Sequence, residues 1–218
     1  ILYLLKPIMS LISVLEETPA FFISFITIVG LMVGSFLNVV IYRLPVMMKR
    51  SWLQQCAELR DEPIAELPVF NLITPRSACT QCGHKLSALE NIPVISYLFL
   101  RGRCSQCQTR ISLCYPLVET VTALMSGFVA WHFGFGWLTV ATLFFVWALI
   151  ALAVIDLNTQ LLPDDITLPL LWAGLLVNMN NGFTDIHSAI IGAVAGYLSL
   201  WCIYWCFKLI TGKEGMGY

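Results

Sequence analysis

Charge is what this sequence has least of. Only 11% of its 218 residues are Asp, Glu, Lys or Arg, and the formal net charge is −1. Soluble domains carry about 25% charged residues, so less than half the usual polar cover is present. Hydrophobic residues make up 58% of the chain, and the mean hydropathy is +0.80. A soluble monomer has no means of hiding that much apolar surface, and disorder is excluded by the same composition. The balanced charge gives no electrostatic footprint for nucleic acid, so none is expected as a partner. No internal repeat, low-complexity tract or cleavable signal peptide is evident in the sequence. The class that remains is an all-α polytopic membrane protein.

Stretches able to cross a bilayer need about 20 apolar residues. Residues 20–42 qualify without a charge, and Gly30 through Gly34-Ser35 suit close helix packing there. Residues 113–131 qualify with one internal acid, Glu119, and 137–155 and 188–207 qualify as well. Residues 166–179 are short, with Pro169 near the start, and are read as a span because they join two others. Residues 1–15, interrupted by Lys6 and Pro7, read as a short interfacial helix or the remnant of a longer one. With Ile at position 1 and a glycine-rich turn at the last residues, the chain reads as a fragment.

Of 12 Lys and Arg residues, nine lie from Arg43 to Arg110. Positive residues mark the cytosolic side, so this 43–112 insert is expected inside the cell. Alternation then predicts the Asp156–Asp165 loop and the chain end inside as well, and the two outer loops carry no Lys or Arg. About five spans are expected, divided as 1–42 (an N-terminal segment and first span), 43–112 (a cytosolic insert) and 113–218 (a membrane domain).

The insert holds Cys79-Thr80-Gln81-Cys82 and Cys104-Ser105-Gln106-Cys107, two C-x2-C pairs with 21 residues between them. Two such knuckles can place four thiolates around Zn²⁺, or iron in its place, in a zinc-ribbon-like unit. Gly83 and Gly102 stand where tight turns are needed. Disulfides or a redox pair are the alternatives, and a cytosolic placement argues against disulfides. Four sulfur ligands leave no open position, so such a metal is structural. His84 reads as a solvated or hydrogen-bonded side chain. Cys56, Cys114, Cys202 and Cys206 show no ligand spacing and read as packing residues.

Asp156 ends an uncharged span directly. An ionisable residue at that depth is a functional candidate, or else a hydrated helix end in the headgroup zone. Asp165, with Asp164 beside it, is expected to cap the helix that begins at Ile166. Two carboxylates sharing a proton can drive water onto a peptide bond, one as base and the other polarising the carbonyl. Glu214, the other acid near a cytosolic edge, sits in a Lys-Glu pair and reads as solvated.

Four segments carry a family resemblance. They are Gly34-Ser35-Phe36-Leu37-Asn38 with Arg43-Leu44-Pro45, the four cysteines, Glu90-Asn91-Ile92-Pro93 with Leu100-Arg101-Gly102-Arg103-Cys104, and Ile155-Asp156 through Leu162-Pro163-Asp164. Together they make the chain resemble the bacterial type IV prepilin peptidases, aspartic membrane hydrolases of the type IV pilus and type II secretion systems. The resemblance implies a bifunctional enzyme of the inner membrane. It would cut the basic leader of prepilins and pseudopilins after Gly and then N-methylate the new terminus with S-adenosylmethionine. It implies that Asp156 is one of two catalytic aspartates and that Cys79, Cys82, Cys104 and Cys107 bind structural zinc. It offers Gly34, Glu90 and Asn91 as contacts for the methyl donor, although no dinucleotide-type glycine loop shows how it binds. The second aspartate is expected in a G-x-G-x-G-D turn that Gly215-Met216-Gly217-Tyr218 begin, so the chain as given is expected to be proteolytically inactive.

Exposed ion pairing with an arginine is the plainer reading of Glu90. Arg101 and Arg103 suit anionic lipid or a helix end, and Trp131, Trp137, Trp172, Trp201 and Trp205 suit interfacial anchoring or packing. Two other functions remain open, a membrane methyltransferase without a peptidase half and a non-catalytic zinc-stapled assembly protein. A transporter lacks support, since no paired broken helices recur in two matching halves.

Overall fold

The computed structural model describes residues 13–63, 68–87, 89–180 and 182–212. The first twelve residues of the expected interfacial stretch, together with Lys213, Glu214 and the Gly215-Met216-Gly217-Tyr218 turn, lie outside the described residues. Among the described residues, 13–17 are helical, and the helices after them are, in order, α1 (Pro19–Leu59), α2 (Ile95–Phe99), α3 (Cys114–Phe133), α4 (Trp137–Thr159), α5 (Asp164–Met179) and α6 (Ile186–Thr211). Among the described residues there is no strand, only two isolated β-bridges in the insert. The fold is all-α, and α1, α4 and α6 are long and apolar enough to cross a membrane. The other two expected spans form as helices α3 and α5.

Helix α1 starts with Pro19 at its first position, where a missing N–H costs nothing. It does not stop at Tyr42. It runs 41 residues to Leu59 with Pro45 inside. At 1.5 Å per residue that is about 60 Å, roughly twice a bilayer's apolar thickness of about 30 Å. The second half therefore projects past the apolar layer as the first part of the insert.

The chain forms two compact units, 1–163 and 164–218. In the first, α1, α3 and α4 pack together around Leu37, Ile41, Val118, Ala151 and Ile155. Small residues allow the α1–α3 approach: a Cβ on Gly34 would lie 2.7 Å from Cα of Glu119, and one on Gly127 would lie 2.5 Å from Thr27 Oγ1. Polar groups in this interface are satisfied. Thr122 and Ser126 each donate to the carbonyl one turn back, at 2.7 Å, and Trp147 Nε1 of α4 donates to Ser126 Oγ at 2.9 Å.

In the second unit α5 packs on α6. Helix α5 begins at Asp164, two residues before the expected start, so Asp164 and Asp165 lie in its first turn instead of flanking it. Carboxylates there complement the positive end of the helix dipole. Helix α6 is capped by Asp185, whose carboxylate accepts from the Ser188 N–H at 2.9 Å, and ends at Gly212 with φ of 66°.

Candidate functional site

Each cysteine pair sits on the same small turn. Cys79 N–H donates to the His84 carbonyl at 2.8 Å and Gly83 N–H to the Cys79 carbonyl at 3.0 Å. The second pair repeats this, with Cys104 N–H to Thr109 at 2.9 Å and Gln108 N–H to Cys104 at 3.1 Å. Bridges Ala78–Lys85 and Arg103–Arg110 close the two loops. The turn needs a left-handed residue after the second cysteine, supplied by Gly83 (φ 72°) and by Gln108 (φ 57°). Gly83 is therefore at a position that favours glycine.

The loops bring four sulfurs together. The Cys79–Cys107 sulfur separation is 3.7 Å, Cys82–Cys104 is 3.9 Å, and all four ligand atoms lie within 4.8 Å of one another. Zinc–sulfur bonds of about 2.3 Å in a tetrahedron put sulfurs about 3.8 Å apart, so this set can hold such an ion. Electrostatics favour the thiolate at two of the four. Backbone N–H groups of Cys82 and Gln81 lower the Cys79 thiol, and the Thr109 hydroxyl and backbone bring Cys107 to about 6. The His84 backbone N–H pulls Cys82 down, but desolvation and the neighbouring sulfurs push it up to about 11. Four thiolates this close repel one another, and a divalent cation removes that penalty.

Around the sulfurs, Glu90 ties both loops together. Its carboxylate accepts from Ser105 Oγ at 2.5 Å and from the Ser87 N–H at 2.8 Å, and it lies 3.4 Å from His84 Nε2. The Ser105 hydroxyl, then the Ser87 N–H, hold it at about 2, well below the usual carboxylate range. Its partners are serines and a histidine, not the arginine of the plain reading. His84 is hydrogen-bonded, as expected. Asn91 is exposed next to it, while Gly34 is buried against α3. Arg101 and Arg103 are exposed beside the second loop.

Asp156 occupies the last turn of α4, exposed, with the fully buried Ile155 beside it. Its backbone carbonyl accepts from Gln160 N–H at 2.8 Å, and Gln160 ends the helix in the left-handed conformation. Next to this end, α1, α3 and α4 enclose a cavity of about 310 Å³. Asn38, Tyr42, Lys49, Tyr115, Asn158 and Thr159 are in its wall.

A sequence profile of the Bacterial Peptidase A24 N-terminal domain matches residues 28–133, and that of the Type IV leader peptidase family matches residues 143–218. The chain belongs to the type IV leader peptidase family. Curated relatives agree. A Pseudomonas aeruginosa protein named prepilin leader peptidase/N-methyltransferase is 52% identical over 211 residues, 96% of this chain and 73% of its own length. Proteins of the same name from Stutzerimonas stutzeri and Aeromonas hydrophila are 51% and 53% identical, over 96% and 95% of this chain and 73% and 72% of their own lengths. No solved structure matches the chain.

The family's N-terminal stretch thus takes in α1 from residue 28 onward, the cysteine loops and α3, and its peptidase stretch takes in Asp156. One residue of the N-terminal stretch was given no role by the sequence reasoning. Glu119 of α3 is buried, accepts from Val94 N–H at 2.7 Å, and lies 3.4 Å from Asn38 Nδ2. Val94 is held at φ 57°, a conformation that β-branched residues avoid. Its peptide is turned so that the N–H meets this acid. A second clasp is Arg43, buried, whose guanidinium donates to the carbonyls of Asn71 at 2.9 Å and Pro75 at 2.6 Å. The available signal was a charge in or beside an otherwise uncharged run.

Proposed function

We propose that this chain carries prepilin leader peptidase and N-methyltransferase function, with Asp156 as one carboxylate of an aspartic pair. What supports this most is the identity of about half over 96% of the chain to relatives bearing that name. Asp156 has the attributes the role needs: it is exposed at the polar end of a long uncharged helix, inside the stretch matching the peptidase family. As half of a pair it takes a proton from the attacking water while its partner polarises the scissile carbonyl. The partner carboxylate is expected from the glycine-rich turn that Gly215-Met216-Gly217-Tyr218 begin. Substrates are prepilins or pseudopilins whose basic leader stays on the cytosolic side of the inner membrane. Cys79, Cys82, Cys104 and Cys107 hold a structural zinc ion that folds the insert.

The test is cleavage of a purified prepilin by the natural full-length protein, read by mass spectrometry, with Asp156→Asn alongside. Loss of the leader with the parent enzyme, and a decrease of at least about 1,000-fold with the variant, is the expected outcome. Cleavage at the parent rate by Asp156→Asn overturns the assignment.

A further inference from the structure

The cavity beside Asp156 has no assigned occupant. We infer that it is the binding site of the sulfonium methyl donor, S-adenosylmethionine, an inference that builds on the N-methyltransferase reading above. Its volume of about 310 Å³ is at the small end of ligand sites, about 300–1,000 Å³. The wall chemistry matches the donor part by part. Ile41, Pro45 and Val46 give an apolar surface. Tyr42 and Tyr115 bring two aromatic rings, which attract a cation and stack on a base. No acid lines the cavity, so the sulfonium meets rings instead of a counter-ion. Lys49 is exposed at the wall and makes no ion pair among the described residues, leaving its ammonium for the donor's carboxylate. Asn38 is more than nine-tenths buried. Its Nδ2 donates to the Tyr115 carbonyl at 3.1 Å and lies 3.4 Å from Glu119 Oε1, while its amide oxygen accepts nothing among the described residues. That oxygen is an acceptor for an amino group of the occupant.

Position supports the same occupant. Asn158 and Thr159, in the wall, follow Asp156 within the last turn of α4. The amine to be methylated is the one that peptide cleavage releases, so the two reactions need neighbouring sites. When bound, the donor supplies a methyl group: its S–C bond breaks with the electron pair left on sulfur, an N–C bond forms to the uncharged amine, and the amine's proton leaves to solvent. The residues expected from the sequence do not line the cavity. Gly34 has no room beside it, because a Cβ there would lie 2.7 Å from Glu119, and the Glu90 carboxylate is engaged with Ser105 and Ser87.

The experiment uses full-length protein in nanodiscs and S-adenosylhomocysteine as probe. Calorimetry is expected to show binding that Lys49→Ala and Tyr42→Ala each weaken about tenfold, the effect of losing one charge-assisted or cation–π contact. Lys49→Arg is expected to restore affinity. Equal metal content and melting temperature in all variants show that the fold is kept. As a second measurement, labelled S-adenosylmethionine is cross-linked by ultraviolet light and the peptides are mapped, with label expected in 38–49, 114–115 or 158–159. Parent-like affinity in both alanine variants, or label confined to 84–91, overturns the site and leaves the methyltransferase reading standing. Loss of leader-peptide binding in those variants with probe affinity unchanged overturns it in favour of a peptide subsite. No binding by the parent protein overturns both.

Discussion

Gly34 meets the backbone of α3 directly. A Cβ there would lie 2.7 Å from Glu119 Cα and 3.2 Å from Thr122 Cβ, and the obstruction is backbone on one side. Neither helix can yield without losing the buried contacts of Leu37, Ile41 and Val118. Gly34→Leu is therefore expected to cost about 1–3 kcal/mol, the usual penalty for overpacking, read as a lower thermal midpoint in detergent. An unchanged midpoint would show that the helices do not approach here. The glycine pattern around Gly30 and Gly34 announced this contact in the sequence, because small residues at that spacing have little other use in an apolar helix. Asn38 and Glu119 did not announce their meeting in the same way. They are 81 positions apart, and only the packing of α1 on α3 joins them.

At the scale of elements, the cysteine loops have few apolar residues to bury. Leu89, Leu98 and Phe99 are all exposed. With the proposed zinc in place, such a unit rests on the metal, which in small zinc modules contributes about 10–16 kcal/mol. Chelation, or Cys79→Ser, is expected to drop bound metal below about half an equivalent and to speed amide exchange across 77–111, while α1 and α3 stay protected. Exchange in the loops that ignores chelation would count against a metal-built fold. The spacing of the four cysteines made this element readable in advance, since two C-x2-C pairs admit few geometries. The length of α1 was not readable. Basic residues beginning at Arg43 mark where the apolar run ends, but helix and apolar run are different things. Between Tyr42 and Leu59 only Pro45 opposes a helix, and the chain keeps turning through it. Likewise, the start of α5 lies at Asp164 because an acid is as acceptable inside the first turn as before it.

For the whole molecule, the proposed orientation makes a direct prediction about Cys56. This thiol is exposed on the projecting part of α1. A maleimide unable to cross membranes is expected to label it in opened inverted vesicles or lysed cells, and not in intact spheroplasts. Labelling of intact spheroplasts would reverse the topology. Charge counting is the ground for expecting this side, because nine Lys and Arg lie in one stretch. Which helices touch, and where a cavity opens between them, needs the three-dimensional packing of α1, α3 and α4.

The clasps formed by Arg43 and Glu119 have a consequence for exchanging parts between relatives. Arg43 grips the carbonyls of Asn71 and Pro75, and Glu119 grips the Val94 N–H. The cysteine loops are thus anchored to the bundle before the first loop and between the two, by residues that belong to the bundle. A chimera that transplants 68–111 alone inherits the loops but depends on the recipient for both anchors. Its boundaries belong inside α1 before Asn38 and inside α3 after Glu119, so that each anchor travels with the peptide it holds.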